Sequence, residues 1–202
     1  MALNIGYLTS DKEYNELYSP FYIVDHIIKY LPKDKIIWCP FDEEWSAFYV
    51  RLKECGYKVV RSSLKDNQNF FEYEPDRWDI IVSNPPFSIK DKVLNRLYSF
   101  HKPFAVLLPL NSLQGKSRFQ YFKQGIQILS FDSRVCYHDQ KHMNSVVKGN
   151  PFATAYFCKD LLPKDLIIEH LNKYDEALNI TACKTIDNSN NRIVCKSVYI
   201  KK

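Results

Sequence analysis

Glycine is scarce in this chain, with 5 residues among 202. A loop whose backbone closely approaches a bound ligand normally uses glycine, because the missing Cβ leaves room for the ligand and permits unusual backbone angles. A glycine-rich binding loop is therefore not expected here. Any close approach to a ligand must be made in some other way.

Paired cysteines and long apolar runs are also absent. The six cysteines form no Cys-x-x-Cys pair, which indicates reduced thiols that are mostly small core residues. No apolar run approaches the roughly 20 residues of a membrane span, and residues 1–14 lack the apolar core of a secretory signal. We therefore expect a cytoplasmic protein with no membrane contact.

What the chain does contain is the composition of a folded protein. Apolar residues make up 46% of it and aromatic residues 15%, which suits one domain with a sizeable core. The net charge of +5 is a mild basic excess that fits a polyanionic partner without requiring one. We assign residues 1–178 to a single domain and the polar residues 179–202 to a tail or terminal hairpin.

Strand and helix patterns alternate along the chain. Apolar residues recur at helical spacing from Ile23 to Leu31, after Ser19 and Pro20, which are typical of an N-cap and a first helical position. This βαβα order predicts an α/β fold with a mostly parallel sheet and helices on both faces. Strands are predicted at residues 35–39, 57–62, 78–83, 103–108, 126–131 and 152–158, and helices at residues 17–31, 43–55, 89–100, 117–124 and 166–177.

The most informative segment is Asn84-Pro85-Pro86-Phe87, which follows the apolar run at residues 79–83. An amine conjugated to an aromatic ring is a poor nucleophile, so an enzyme that methylates it must accept hydrogen bonds from its NH₂ group. Asn84 offers a carbonyl acceptor, and the prolines make a stiff turn without N–H donors. Phe87 offers a flat face to a base that has left its stack. The alternative is a tight turn with Phe87 in the core, but ligands of α/β sheets bind just beyond strand ends.

Four segments carry a resemblance to a known family: Tyr18-Ser19-Pro20, Cys39-Pro40-Phe41-Asp42, Asn84-Pro85-Pro86-Phe87 and Pro151-Phe152-Ala153. Their order resembles the small adenine-N6 DNA methyltransferases that phages and mobile elements often carry. The resemblance implies a Rossmann-like methyltransferase fold, S-adenosylmethionine as cofactor and DNA as partner. It implies these catalytic residues: Asn84, Pro85, Pro86 and Phe87.

The same resemblance implies where the cofactor binds. The segment before the first helix touches it, and the loop after the first strand holds its methionine part. The second strand of such folds normally ends in an acid for the ribose hydroxyls, which Ser62 replaces here. Asn69 and Phe70 stand where an acid and an aromatic residue contact the adenine. The implied cofactor-binding residues are Tyr18, Pro20, Cys39, Pro40, Phe41, Asp42, Ser62, Asn69 and Phe70.

The loop after the first strand departs from the usual family pattern, because residues 39–47 contain no glycine. It is similar to a minority subset in which acids replace the glycines, with Asp42 and Glu43 facing the positive end of the cofactor. Helix capping explains these acids equally well, since the dipole of a helix favours negative charge at its start. Phe70 and Phe71 are likewise explained as core residues of a short strand.

Substrate contacts are predicted at two other places. Asn111 follows the fourth strand and should emerge at the same sheet edge as Asn84, although a helix cap explains it equally well. Residues 136–151 show little apolar pattern, and loops this long inside a compact domain are usually functional or disordered. The predicted substrate-binding residues are Asn111, His138, His142 and Lys148.

Two side-chain clusters leave other interpretations open. Cys136, His138 and His142 have ligand spacing, but three neighbouring ligands without a fourth are common by chance, so no metal is expected. A basic cluster either meets phosphates or forms a solvated helix face. It consists of Lys116, Arg118, Lys123 and Arg134.

Two rival functions remain open on the sequence alone. A non-catalytic binding protein that keeps the fold would explain the glycine-free loop. An enzyme acting on RNA or on a protein glutamine amide would also use Asn-Pro-Pro followed by an aromatic residue. Binding of S-adenosylmethionine, and then the polymer that takes up the methyl group, would distinguish these functions from methylation of DNA.

Overall fold

The computed structural model describes residues 18–137 and 152–173, together with residues 186–187 and 192–193. The helices in these ranges are α1 (Phe21–Ile28), α2 (Ala47–Glu54), α3 (Lys90–Ser99) and α4 (Phe119–Phe122). The strands are β1 (Ile36–Pro40), β2 (Lys58–Ser62), β3 (Ile80–Ser83), β4 (Phe104–Pro109), β5 (Gln127–Phe131), β6 (Thr154–Lys159), β7 (Leu166–Glu169), β8 (Ile186–Asp187) and β9 (Arg192–Ile193). Short 3₁₀ turns lie at Leu64–Asp66, Phe87–Ile89 and Leu110–Leu113.

Seven of the described strands form one sheet, in the order β2-β1-β3-β4-β6-β5-β7. β1 pairs in parallel with β2 and β3, and β3 pairs in parallel with β4. β6 is antiparallel to β4 and to β5, whereas β7 is parallel to β5. The strand order reverses between β1 and β3, as in Rossmann-like sheets, whose ligands bind at such a point. The predicted α/β fold with a mostly parallel sheet is confirmed.

Both faces of the sheet are covered by helices. Alternate residues of a strand point to opposite faces, and β1 shows the consequence. Ile37 and Cys39 belong to the hydrophobic cluster that contains the buried residues of α1 and α2, whereas Trp38 belongs to the cluster that contains those of α3. The prediction of helices on both faces is therefore confirmed.

The helix predicted at residues 166–177 is wrong in its described part. Leu166–Glu169 forms β7, which pairs with the outer edge of β5. The apolar run at residues 166–168 is too short to distinguish a strand from a helix. Pairing with a neighbouring strand therefore determines its conformation. Beside β5, Ile167 packs against the core cluster, whereas Leu166 and Ile168 are exposed.

Glu169 fixes β7 against α1. Its carboxylate accepts hydrogen bonds from Lys29 Nζ (2.7 Å) and the Tyr30 hydroxyl (2.7 Å), and it lies 2.6 Å from His26 Nδ1. Burial by itself would raise the pKa of Glu169, but the hydrogen bonds from Lys29, His26 and Tyr30 outweigh it and lower the pKa to about 2. A long-range polar contact thus holds this segment in place.

The other elements lie where the sequence predicts them, with ends that differ by a few residues. The N-cap residue of α1 is Pro20 rather than the predicted Ser19, and no side chain caps the helix. β8 and β9 pair antiparallel, and the remaining residues after 173 lie outside the described part of the chain. None of the described helices has the length and apolar character needed to cross a membrane.

Candidate functional site

Polar residues lie at the carboxyl edge of the sheet, just beyond three neighbouring strands. Asp42 lies beyond β1, Asn84 follows β3 and Asn111 lies beyond β4. The three strands are parallel neighbours in the sheet, so their carboxyl ends lie at one edge. Asn84 and Asn111 therefore share the sheet edge at which the sequence predicts them.

The turn at Asn84 is compact. Asn84 is half-buried, its side-chain oxygen is buried, and Pro85 is buried. Pro86 has a φ of −57°, and one 3₁₀ turn, Phe87–Ile89, then leads into α3. The prolines have no N–H and restricted φ angles. The turn therefore holds an amide oxygen at a defined position at the strand end.

Phe87 belongs to a group of three aromatic rings beside Asn84. Its ring centroid lies 5.4 Å from that of Phe152 and 6.3 Å from that of Tyr137, and both contacts are edge-to-face. Tyr137 is fully buried, and its hydroxyl lies 2.9 Å from Thr154 Oγ1. Phe87 itself is half-buried and contacts both hydrophobic clusters. It contributes to the core and also keeps exposed surface at the site.

Asp42 is 5% exposed. Ser83 Oγ lies 2.7 Å from Asp42 Oδ2 and is also within hydrogen-bond distance of the Pro40 carbonyl. A hydroxyl has one hydrogen, so it satisfies both contacts at once only when the Asp42 carboxyl is protonated and donates to it. Burial raises the pKa of Asp42 to about 7, against the hydrogen bonds of Ser83 and Ser46 and the charge of Arg61. A cation beside this carboxyl would favour its ionised form.

Asp42 does not cap the following helix. α2 begins at Ala47, and its N-cap residue is Ser46, whose Oγ accepts a hydrogen bond from the Glu43 N–H at 2.8 Å. Asp42 lies farther from the helix, and its carboxyl contacts the hydroxyls of Ser83 and Ser46 rather than the N–H groups of the first turn. The capping explanation of the sequence is therefore wrong for Asp42.

Ion pairs join the loop after β1 to the end of β2. Glu43 pairs with Lys65 at 2.7 Å, and Glu44 pairs with Arg61 at 3.3 Å. Arg61 also pairs with Asp66 in the 3₁₀ turn that follows β2. Glu43, which the sequence predicts to face the cofactor, is therefore directed toward a lysine of the chain.

Ser62 and Asn69 already have hydrogen-bond partners. Ser62 is fully buried, and its Oγ accepts a hydrogen bond from Trp38 Nε1 at 2.9 Å. A buried indole N–H needs an acceptor, and the structure uses Ser62 for this, so Ser62 does not reach the surface where a ribose would bind. Asn69 Oδ1 accepts a hydrogen bond from the Phe71 N–H at 3.1 Å, and a second lone pair remains on this oxygen.

Phe41 adopts a backbone conformation that normally favours glycine. Its φ is 73°, in the left-handed region that costs a bulky residue about 1–3 kcal/mol. Its ring centroid lies 4.8 Å from that of Phe70, a core residue on a turn. The contact between the two rings offsets this strain. The positive φ of Phe41 turns the chain after β1 at a position where a glycine would be usual. Cys39 and Pro40 are buried in β1, and burial, with the charge of Asp42, raises the pKa of the Cys39 thiol well above its usual range.

The chain before α1 reaches the same edge of the sheet. The Tyr18 ring lies 4.8 Å from the ring of Trp45, which belongs to the loop after β1. Ser19 Oγ is buried and has no hydrogen-bond partner among the described residues, and no side chain caps α1 at Pro20. A hydroxyl and the N–H groups at a helix start are both donors. This place therefore suits a carboxylate.

The remaining predicted residues have mixed outcomes. Asn111 is exposed. Arg118, for which the sequence left phosphate contact and a solvated helix face open, is hydrogen-bonded to Asp91 and to two backbone carbonyls. No cluster of metal-ligating side chains is found within residues 18–137 and 152–173. Three predicted substrate residues lie outside the described part of the chain: His138, His142 and Lys148.

Two residues of the site were missed from the sequence. Ser83 is the polar end of an apolar strand directly before Asn84, and that position could have signalled a contact with the neighbouring loop. Tyr137 gives no such signal, because its contact with Phe87 joins distant parts of the chain.

Comparison with known proteins gives fold-level similarity. No protein-family model matches the chain, and no curated protein matches it. It is similar to the crystal structure of a dimethyladenosine transferase from Plasmodium falciparum, with 15% identity, 74% of this chain and 64% of that chain covered, and a TM-score of 0.42. It is also similar to a release factor-specific protein-(glutamine-N5) methyltransferase from Alicyclobacillus acidocaldarius, with 15% identity, coverage of 68% and 90%, and a TM-score of 0.36.

A third similar structure is the methyltransferase subunit of a type I restriction-modification system from Streptococcus thermophilus. The identity is 12%, 95% of this chain and 53% of that chain are covered, and the TM-score is 0.42. The chain thus spans less than two thirds of the length of the first and third of these proteins. The strand order and the two covered faces of the sheet establish a Rossmann-like α/β fold for this chain.

Proposed function

We propose that this protein is an S-adenosylmethionine-dependent methyltransferase that acts on the N6 amine of adenine in DNA. The observation that carries the proposal is the Asn84-Pro85-Pro86-Phe87 turn at the carboxyl end of β3. β3 lies beside β1, where the strand order reverses, and ligands of such sheets bind at this edge. The position of Asn84 at this edge supports the proposal that it contacts the reacting amine.

The reacting amine needs acceptors because its lone pair is delocalised into the purine ring. In the proposed reaction, the Asn84 side-chain oxygen and the Pro85 carbonyl accept its two N–H groups, and the nitrogen moves toward tetrahedral geometry. Phe87 stacks on the base, whose removal from the duplex costs a few kcal/mol. Positioning and acceptor electrostatics account for the rate enhancement. No covalent intermediate with the chain is required, so the buried thiol of Cys39 takes no part.

The donors and acceptors of the site fit the methionine part of the cofactor. Its carboxylate suits the Ser19 hydroxyl and the start of α1, and its ammonium group suits Asp42. Phe41 packs on the core and is half-exposed, so its ring offers an apolar surface to the purine of the cofactor. When bound, S-adenosylmethionine would supply a methyl group on a positively charged sulfur and would leave as the neutral thioether, while the proton that the amine loses would pass to water.

A non-catalytic binding protein with this fold is the second candidate. It is favoured by the end of β2, where an acceptor for the ribose is expected. There Ser62 is buried, and the nearby acids Glu43 and Asp66 are paired with Lys65 and Arg61. An enzyme that acts on RNA or on a protein glutamine would transfer the methyl group to that polymer instead of to DNA.

Incubation with S-adenosylmethionine that carries a labelled methyl group tests the proposal, with DNA, RNA and protein offered separately. We expect label in DNA, recovered as N6-methyladenine after digestion. Asn84→Ala should abolish methyl transfer. Its melting temperature should stay within a few degrees of the wild-type value, which is the shift expected for a change of about 1 kcal/mol in the free energy of unfolding. Asn172→Ala, which removes an exposed amide elsewhere, is the matched control and should keep full activity.

Two outcomes would change the assignment. Unchanged turnover in Asn84→Ala would refute the mechanism. No calorimetric binding of the cofactor at millimolar concentration would favour the non-catalytic candidate.

A further inference from the structure

The segment after β4 presents apolar and basic side chains at the same sheet edge as Asn84. We call residues 110–119 the Phe119 loop. Phe119 is 67% exposed and Leu113 is 42% exposed, with exposed Lys116 between them in the chain. Single exposed apolar residues are ordinary, but these two stand in one loop next to the candidate site.

Arg118 holds the Phe119 loop in one shape. Its side chain is 14% exposed, and its Nε donates to Asp91 Oδ1 at 2.9 Å. Its Nη1 donates to the carbonyls of Ser112 at 3.0 Å and Gln114 at 2.9 Å. The guanidinium also lies against Gly115, where an added Cβ would be 2.8 Å from Arg118 Cζ. The loop is therefore clamped from within.

The clamp also fixes the loop relative to the Asn84 turn. Asp91 lies in the first turn of α3, which begins directly after the Phe87–Ile89 turn. On the other side, the Leu110 N–H donates to the Ala153 carbonyl at 2.8 Å. Ala153 follows Phe152, whose ring contacts Phe87. The loop is thus attached to both sides of the aromatic group beside Asn84.

The chain segment that contains the loop carries positive charge and no acid of its own. From residue 110 to residue 131 the chain contains no aspartate or glutamate, whereas it contains Lys116, Arg118 and Lys123. Asp91, the acid that reaches the loop from α3, is paired with Arg118. Lys116 and Lys123 are exposed. A rigid surface that combines exposed lysines with an exposed aromatic ring matches a nucleic-acid strand, which has phosphates and flat bases.

We propose that the Phe119 loop is the surface that holds DNA beside Asn84. Lys116 contacts a backbone phosphate, and Phe119 and Leu113 contact a base next to the one that leaves its stack. The inference rests on the proposed function, because it takes the partner to be the DNA whose adenine is methylated. Arg118 acts as a positioning residue, since it shapes the loop without reaching the DNA.

Fluorescence anisotropy with a labelled adenine-containing DNA duplex tests this, at several salt concentrations. Lys116→Gln should weaken binding and lower the slope of log affinity against log salt by about one, because one phosphate contact is lost. Phe119→Ala should weaken binding about tenfold and leave the slope unchanged, because it removes an uncharged contact. Both side chains are exposed, so the melting temperature should match that of the wild type.

Matched controls come from β7 and the turn before it. Lys164→Gln removes an exposed lysine, and Ile168→Ala removes an apolar side chain that is 67% exposed, as Phe119 is. β7 lies three positions from β4 in the sheet. Both control variants should bind DNA as the wild type does.

The outcomes separate this inference from the proposed function. If the wild type methylates DNA and the loop variants bind it like the wild type, the inference is overturned and the function stands. If the loop variants weaken binding but no methyl transfer occurs, the Phe119 loop is a DNA-binding surface and the proposed methyltransferase function fails. If the wild type does not bind DNA at all, or if the controls weaken binding equally, the surface is not the one inferred.

Discussion

The buried carboxyl of Asp42 predicts a pH dependence of stability. Burial raises the pKa of Asp42 from its ordinary value of 3.8 to about 7. Between these values the folded protein holds this proton while the unfolded chain releases it. The contribution of Asp42 to the free energy of unfolding therefore falls as pH rises through this window, and this contribution falls no further above about pH 7. Over the whole window the loss corresponds to about 4 kcal/mol.

Asp42→Asn is the informative perturbation. An amide cannot titrate, but it keeps the size of the side chain and a donor that can face Ser83. The variant should therefore lack this part of the pH dependence. Between about pH 5 and pH 8 the wild type should lose about 3 kcal/mol of unfolding free energy relative to the variant.

Urea unfolding followed by tryptophan fluorescence at a series of pH values measures the difference. Asp76→Asn, which removes an exposed carboxyl, is the control and should follow the wild type. Parallel profiles for the wild type and Asp42→Asn would show that Asp42 is not buried as described. In calorimetry, Asp42→Asn should also weaken cofactor binding at least tenfold at pH 8, a loss of about 1.4 kcal/mol.

Two further variants test contacts elsewhere in the fold. Glu169→Gln should lower the free energy of unfolding by about 1–3 kcal/mol at neutral pH, because its hydrogen bonds to Lys29 and Tyr30 weaken. The pKa of Glu169 is about 2 in place of 4.5, so this stabilisation is present above about pH 4.5 and is lost as pH falls toward 2; urea unfolding should show wild type and variant converging in acid. Gly115→Ala should lower both the melting temperature and DNA affinity, because its methyl group would displace the Arg118 guanidinium. Retention of both properties would mean that the loop is not clamped.

Local patterns in the sequence were sufficient for most of the fold. The helical spacing from Ile23 to Leu31 and the short apolar runs predicted the elements that build the sheet. These patterns arise because apolar side chains face a hydrophobic core, and each face of this sheet packs against such a core. The pattern failed at Leu166–Glu169, where a short apolar run has no distinctive period and pairing with β5 made it a strand.

The candidate site was predicted less completely than the fold. Asn84 and Asn111 were placed at the correct edge, because the ends of parallel strands lie together whatever their side chains do. Ser62 was assigned to the cofactor ribose, and Arg118 was one candidate for a phosphate contact, yet Ser62 accepts a hydrogen bond from the Trp38 indole and Arg118 holds a loop. Residue type alone does not show whether a polar group already has a partner within the protein.

By itself, the sequence determined the order of strands and helices, the α/β class, and the position of the Asn84 turn at a strand end. All of these follow from the periodicity and chemistry of neighbouring residues. Tertiary structure alone decided that Asp42 is buried against Ser83, that the left-handed Phe41 packs on Phe70, and that the Phe119 loop faces solvent with a fixed shape. These properties depend on burial and on partners far along the chain, and a linear sequence contains neither directly.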